Sequence, residues 1–204
     1  MSKKSSYIFR SFLIILLIIM AAFLVLYFAS RPGAANDGKI KKPGIDEQII
    51  AVSDYTYDGE KIGNIEKIVV HYVANPGSSA QANRNYFNSL ASTHDRAASS
   101  HFIIGLDGEI IMCVPLDCVA FANGDSYVNR HAISIECCHP DASGKFNDST
   151  LASLKALIEW LCDEYGLSND DIIRHYDVTG KMCPLYFVEH KDEWEAFKSS
   201  IETK

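Results

Sequence analysis

The stretch Arg174-His175-Tyr176-Asp177-Val178-Thr179-Gly180-Lys181-Met182-Cys183-Pro184 sets an imidazole, an ammonium and a thiol within one short segment. The apolar pair Ile172-Ile173 in front of it predicts a short buried strand running into an irregular loop. A zinc ion takes nitrogen from His and sulfur from a Cys thiolate, and a hydrolytic zinc keeps three protein ligands so that water can fill the fourth position. His175 and Cys183 supply two such donors. Taken alone, they read equally well as a partly buried His and Cys in an ordinary loop. The rest of the chain decides between the two readings.

Working outward, Ile65 to Tyr72 has the β-branched content of a buried strand and carries His71 near its end, where side chains reach a cleft. The turn-rich Ala74 to Ser79 follows, and Ala80 to Leu90 reads as a helix with Tyr86, Phe87 and Leu90 facing inward. Ser100 to Met112 reads as two strands about the Asp107-Gly108 turn. Ala120 to Asp125 is a loop, and Ala132 to Cys137 returns as a strand. Its Glu136 stands out, because a carboxylate in an apolar strand costs free energy unless it is paired or catalytic. Leu151, Leu154, Leu157, Ile158, Leu161, Cys162 and Tyr165 mark one face of a long helix, with Asp148 and Ser149 available as caps and Gly166 as its stop. A last helix, Glu189 to Ile201, turns Trp194, Phe197 and Ile201 to the core. Strands alternating with helices predict an α/β domain with a single mixed β-sheet flanked by helices.

The amino terminus reads differently. Phe12 to Ala29 is an uninterrupted apolar run long enough to cross a bilayer, behind a short basic tail, residues 1–11, that holds Lys3, Lys4 and Arg10. A single transmembrane helix over 12–29 is expected, then a flexible Pro, Gly and Lys-containing linker over 30–44, then one folded domain over 45–204. Cleavage as a signal peptide near Gly33-Ala34-Ala35 is the alternative. The positive charges flanking the run nearly balance, so they leave its orientation open. Of the 19 Lys and Arg in the 204 residues, three precede the run, leaving 16 against all 26 Asp and Glu, a net −10. Such an acidic domain argues against a nucleic-acid partner. The six cysteines form no CxxC pair and read as core-filling thiols, with a Cys113–Cys118 disulfide as the alternative; Cys137 and Cys138 are expected on opposite faces of a strand.

The motifs Ile68-Val69-Val70-His71-Tyr72, Ser100-His101-Phe102-Ile103-Ile104-Gly105-Leu106-Asp107-Gly108-Glu109-Ile110, Ile133-Ser134-Ile135-Glu136 and Arg174 to Pro184 follow one another over roughly residues 64–200. In that order and spacing the chain resembles the zinc-dependent N-acetylmuramoyl-L-alanine amidases, the type 2 amidase family that includes the peptidoglycan recognition proteins and the phage T7 lysozyme. The resemblance implies one zinc ion on His71, His175 and Cys183, with Lys181 and Glu136 as the catalytic residues and peptidoglycan or muropeptides as substrate. Asn123 stands where many relatives place a His and is expected to contact substrate; His101 reads as a structural or substrate-groove histidine rather than a metal ligand. Ser100 replaces a Tyr found in several relatives, so Glu136 must carry the acid/base role. Asp177 is a candidate acceptor fixing a histidine tautomer. His94, His139 and His190 are expected at the surface, and His131 is a candidate for the groove.

The resemblance also implies a location. Its substrate puts the domain on the extracytoplasmic side of a cell membrane, held to the lipid bilayer through residues 12–29, and a monomer is expected. Beside a rival of context, a phage endolysin held by a releasable anchor, which the Leu-, Ile- and Phe-rich run argues against, two functional rivals remain at this point. One is a membrane-anchored peptidoglycan-binding receptor of the same fold without activity, against which the presence of Cys183 counts. The other is a cysteine hydrolase with Cys183 as nucleophile and His175 or His71 as base.

Overall fold

In the computed structural model, Met20 and residues 39–203 are described. The expected membrane span, residues 12–29, lies outside them apart from Met20; among the described residues no helix is long and apolar enough to cross a membrane. Six strands form one sheet: β1 (Asp46–Glu47), β2 (Lys67–Tyr72), β3 (Phe102–Ile104), β4 (Ile110–Met112), β5 (Ala132–Cys137) and β6 (Ile172–Arg174). Their order is β1-β4-β3-β5-β2-β6, with β3 and β4 antiparallel and every other pair parallel. The helices are α1 (Ala80–Thr93), α2 (Ser126–His131), α3 (Asp148–Tyr165), α4 (His175–Thr179), α5 (Leu185–Glu189) and α6 (Lys191–Ser199). The mixed sheet and its flanking helices agree with the fold read from sequence.

The two-residue period of the strands divides the core into two layers. Ile68, Val70, Phe102, Ile104, Ile133, Ile135 and Cys137 face one side, where Leu154, Leu157, Ile158 and Leu161 of α3 close over them with Trp194 of α6. Ile103 and Ile111 face the other side, where Phe87 and Leu90 of α1 cover them. Cys137 and Cys138 fall in opposite layers, as the alternation requires. All six cysteines are free and buried, so the Cys113–Cys118 disulfide is not formed.

Local chemistry explains where the helices differ from expectation. The cap of α3 is Asn147, not Asp148 or Ser149: its side chain accepts from Thr150 N and donates to the Leu106 carbonyl, tying the helix to the β3–β4 turn. Gly166 ends α3 at φ +67°, a left-handed stop that suits glycine. Tyr86 lies at the edge of the α1 face and is exposed rather than inward. The last helix begins at Lys191, because α5 occupies the residues before it. Within the expected linker, Ile40 N–H donates to Asp163, Ile40 packs on the core and Lys42 lies over Trp160, so the compact unit begins at Ile40 rather than at residue 45.

Candidate metal centre and cleft

Strand pairing brings the site together. In the parallel β2–β5 pair His71 stands opposite Glu136, both one residue short of the strand ends and on the face away from α3. Next to β2 on its other side, β6 ends at Arg174 and delivers His175 directly into α4. The chain then folds back, with Tyr176 N–H donating to the Cys183 carbonyl at 2.9 Å, so that Cys183 lies beside His71. The carboxyl ends of parallel strands are where clefts open in α/β folds.

One donor atom each from His71, His175 and Cys183 lies within 4.8 Å of the other two, and all three residues are buried. Cys183 Sγ is 3.8 Å from His71 Nδ1, and Glu136 Oε1 is 4.0 Å from the same nitrogen. Tetrahedral zinc bonds of ~2.0–2.3 Å imply donor separations of roughly 3.3–3.8 Å, so the constellation fits such an ion with little adjustment. His175 Nδ1 and Glu136 Oε2 are buried without any hydrogen-bond partner. Buried polar atoms are rarely left so unless an ion or water completes them.

Asn123 orients both imidazoles. Its Oδ1 accepts from His71 Nε2 at 3.0 Å, and its backbone carbonyl accepts from the His175 ring, leaving Nδ1 of each histidine turned to the centre. Asn123 is itself held by its N–H donating to Asn129 Oδ1 at 2.8 Å. It is 1 % exposed, and its side chain is engaged with His71. Asp177 does not fix a tautomer, because its carboxylate is taken by the Arg174 guanidinium and backbone N–H. His101 lies inside the sheet: Nδ1 meets Ser134 and Nε2 donates to the Cys118 carbonyl, so neither nitrogen remains for substrate. His139, expected at the surface, is buried against Tyr72.

The electrostatics follow from burial. His71 is pushed down to about 3 by desolvation, reinforced by His175 and Lys181, and His175 is lowered by the same burial and by Lys181. Both are neutral near pH 7, the state that donates a lone pair. Burial pushes Glu136 up to about 8 against the opposing charges of Lys181 and Arg96, and pushes the Cys183 thiol up to about 12. Two lobes open beside the centre. A cavity of about 440 Å³ is lined by His175, Gly124, Phe121, Thr179, Arg96 and Lys181, and one of about 150 Å³ by Glu136, Tyr72, Tyr86, Phe87, Arg96 and Lys181. His131 is in neither; it stacks on Tyr127 beside a separate hollow. Sequence reasoning missed Arg96, a lone arginine in a loop without periodicity or motif to single it out.

Fold and site together define a mixed α/β domain with a buried His/His/Cys constellation at its strand ends. The chain belongs to the N-acetylmuramoyl-L-alanine amidase family, whose sequence profile matches residues 61–185 and so spans all three donors. It is 33% identical over 168 residues to the N-acetylmuramoyl-L-alanine amidase CwlL of Bacillus licheniformis, covering 77% of this chain and 46% of that protein. It is also 33% identical over 174 residues to BlyA of Bacillus subtilis strain 168, covering 76% and 46%. The chain thus spans about half the length of the curated relatives it matches. Among solved structures, a mutant endolysin from Bacillus subtilis matches at a TM-score of 0.67 and 30% identity, over 79% of this chain and 100% of that one. The catalytic domain of XlyA matches at 0.66 and 29%, over 78% and 100%. The family read from the four motifs is confirmed.

Proposed function

We propose that this chain is a zinc-dependent N-acetylmuramoyl-L-alanine amidase, a peptidoglycan hydrolase that cleaves the amide between N-acetylmuramic acid and the L-alanine of the stem peptide. The observation that carries the reading is the convergence of His71, His175 and Cys183, with His175 Nδ1 buried and unpartnered, in a member of this family. A zinc ion held by those residues would supply a water acidified to a pKa of ~7 and an electrophile for the scissile carbonyl. Glu136 takes the proton at a carboxylate oxygen and delivers it to the leaving amine nitrogen; a carboxyl raised to about 8 suits the delivering step. Lys181, exposed at the junction of the two lobes, offers its ammonium to the carbonyl oxygen as negative charge develops there. Asn123 holds His71 and His175 with the correct nitrogens forward.

All of these groups come from one chain, so the reading needs no second copy. It sets the domain outside the cell membrane, where peptidoglycan lies, tethered by residues 12–29. The thiol-hydrolase rival is disfavoured, because burial pushes Cys183 up to about 12 and leaves almost no thiolate at neutral pH. The test is metal content and release of new L-alanine amino termini from peptidoglycan by the full chain, by its Cys183→Ser form and after chelation. About one zinc per chain, with cleavage that needs both zinc and Cys183, supports the reading. Muropeptide binding without cleavage would indicate a receptor instead, and cleavage that survives chelation but needs Cys183 would indicate the thiol enzyme.

A further inference from the structure

Four arginines lie among the described residues. Arg84 donates to the Gln48 and Ile49 carbonyls, Arg130 to Glu60, and Arg174 to Asp177 and the Phe187 carbonyl. Arg96 makes no hydrogen bond or ion pair to any described residue, although its charge reaches Glu136. Its backbone, by contrast, is well tied down. His94, two residues before it, caps α1 by donating its N–H to the Leu90 carbonyl and stacks on Tyr55 at 4.3 Å. Two and three residues after it, Ala98 N–H donates to the Tyr55 carbonyl and Ser99 N–H to the Phe121 carbonyl. A fixed loop therefore presents an uncommitted guanidinium to the cleft.

Arg96 and Lys181 are the two side chains shared by both lobes. Lys181 has its place at the reacting carbonyl, which leaves Arg96 without a task in the chemistry. A guanidinium is planar, permanently charged and matched to a carboxylate by two parallel hydrogen bonds. In a domain of net −10 charge, an unpaired arginine at the active cleft marks where an anionic part of the substrate belongs. The larger lobe runs from His175 to Arg96, so the anion it meets is close to the scissile amide. The sugar and the alanine side chain next to that bond carry no charge; the second residue of the stem peptide is the first that can.

We propose that Arg96 binds a free carboxylate on the second residue of the stem peptide and makes the enzyme selective for stems that carry an acid there over those that carry its amide. This rests on the amidase reading above. Arg96 is a specificity residue here, and the proton transfers do not involve it.

The test uses the full chain and two muropeptides of equal length that differ only in a carboxylate or carboxamide on the second residue, with the wild type and the Arg96→Gln and Arg96→Lys variants. Both kcat/KM and equilibrium binding by calorimetry are read. The expected result is a preference of about tenfold or more for the acid, carried in KM, shrinking as salt is raised, abolished by Arg96→Gln and partly kept by Arg96→Lys. A wild type that treats both substrates alike overturns the proposal. So does an Arg96→Gln variant that keeps the preference, or one that weakens both substrates equally and so places the recognised carboxylate elsewhere. If neither muropeptide is cleaved but the acid binds about tenfold tighter through Arg96, the amidase reading fails and this inference stands; equal binding, or none, overturns the inference too.

Discussion

Replacing Asn123 with alanine removes one atom that matters, the Oδ1 accepting from His71 Nε2 at 3.0 Å, between two residues each 1 % exposed. His71 would then hold a buried N–H with no protein acceptor, which costs about 1–3 kcal/mol. The Asn123 carbonyl that accepts from His175 belongs to the backbone and survives the change. One imidazole of three donors therefore loses its orientation, and losses of this kind typically cost about 10–100-fold in metal affinity. The assay is zinc competition against a chromophoric chelator, paired with urea unfolding of the metal-free protein. Asn123→Asp, which keeps an acceptor at the same place, should restore most of the affinity. If Asn123→Ala binds zinc within twofold of wild type and raises only KM, then Asn123 contacts substrate and does not act through His71.

Three further outcomes follow from the same structure. Glu136→Gln keeps the shape of the side chain but cannot accept the proton; it should retain zinc while kcat falls about 10²–10⁴-fold, and a variant within tenfold of wild type would remove Glu136 from the proton transfer. His71 and His175 titrate below their unfolded values, so the stability they contribute is complete above about pH 6.5 and is lost as pH falls, for His71 towards about 3. Glu136 has the opposite sign: its contribution is complete below about pH 4.5 and is lost as pH rises through about 8, so the urea midpoint of the metal-free protein should peak between these limits, and a flat midpoint from pH 4 to 8 would contradict both shifts. Leu157→Ala, at a side chain fully buried between α3 and the sheet, should lower unfolding free energy by about 2–5 kcal/mol by denaturant titration, with zinc affinity nearly unchanged.

The elements legible in the sequence were those whose own residues carry a pattern. The runs Ile68 to Val70 and Ala132 to Ile135 announce themselves because central parallel strands are buried on both faces, and α3 because burial on one side of a helix selects every third and fourth residue. The short helices α2, α4 and α5 carry no such signal. Each is one to two turns, too short to be stable alone, and is held by contacts supplied from elsewhere, as when Arg174 forks onto Asp177 across the first turn of α4. The edge strand β1 is two residues long and exists only through its pairing with β4.

The site divides along the same line. Donor chemistry belongs to residue type, so His71, His175, Cys183, Glu136 and Lys181 could be selected before their positions were known. What holds and surrounds them belongs to geometry. Asn123 and Asp177 are both capable acceptors, and their side chains differ mainly in charge, yet only the fold decides which meets a histidine: Arg174 lies beside Asp177 and claims it, while Asn129 pins the loop that carries Asn123 under His71. The neutral partner has a consequence. A carboxylate at that place would hold His71 more strongly in its charged form and oppose the depression to about 3 that keeps it ready to donate; an amide fixes the same tautomer without the charge. Asn123→Asp should therefore bind zinc well at pH 7 yet lose it at a higher pH than wild type as the solution is acidified, because His71 would take up its competing proton sooner.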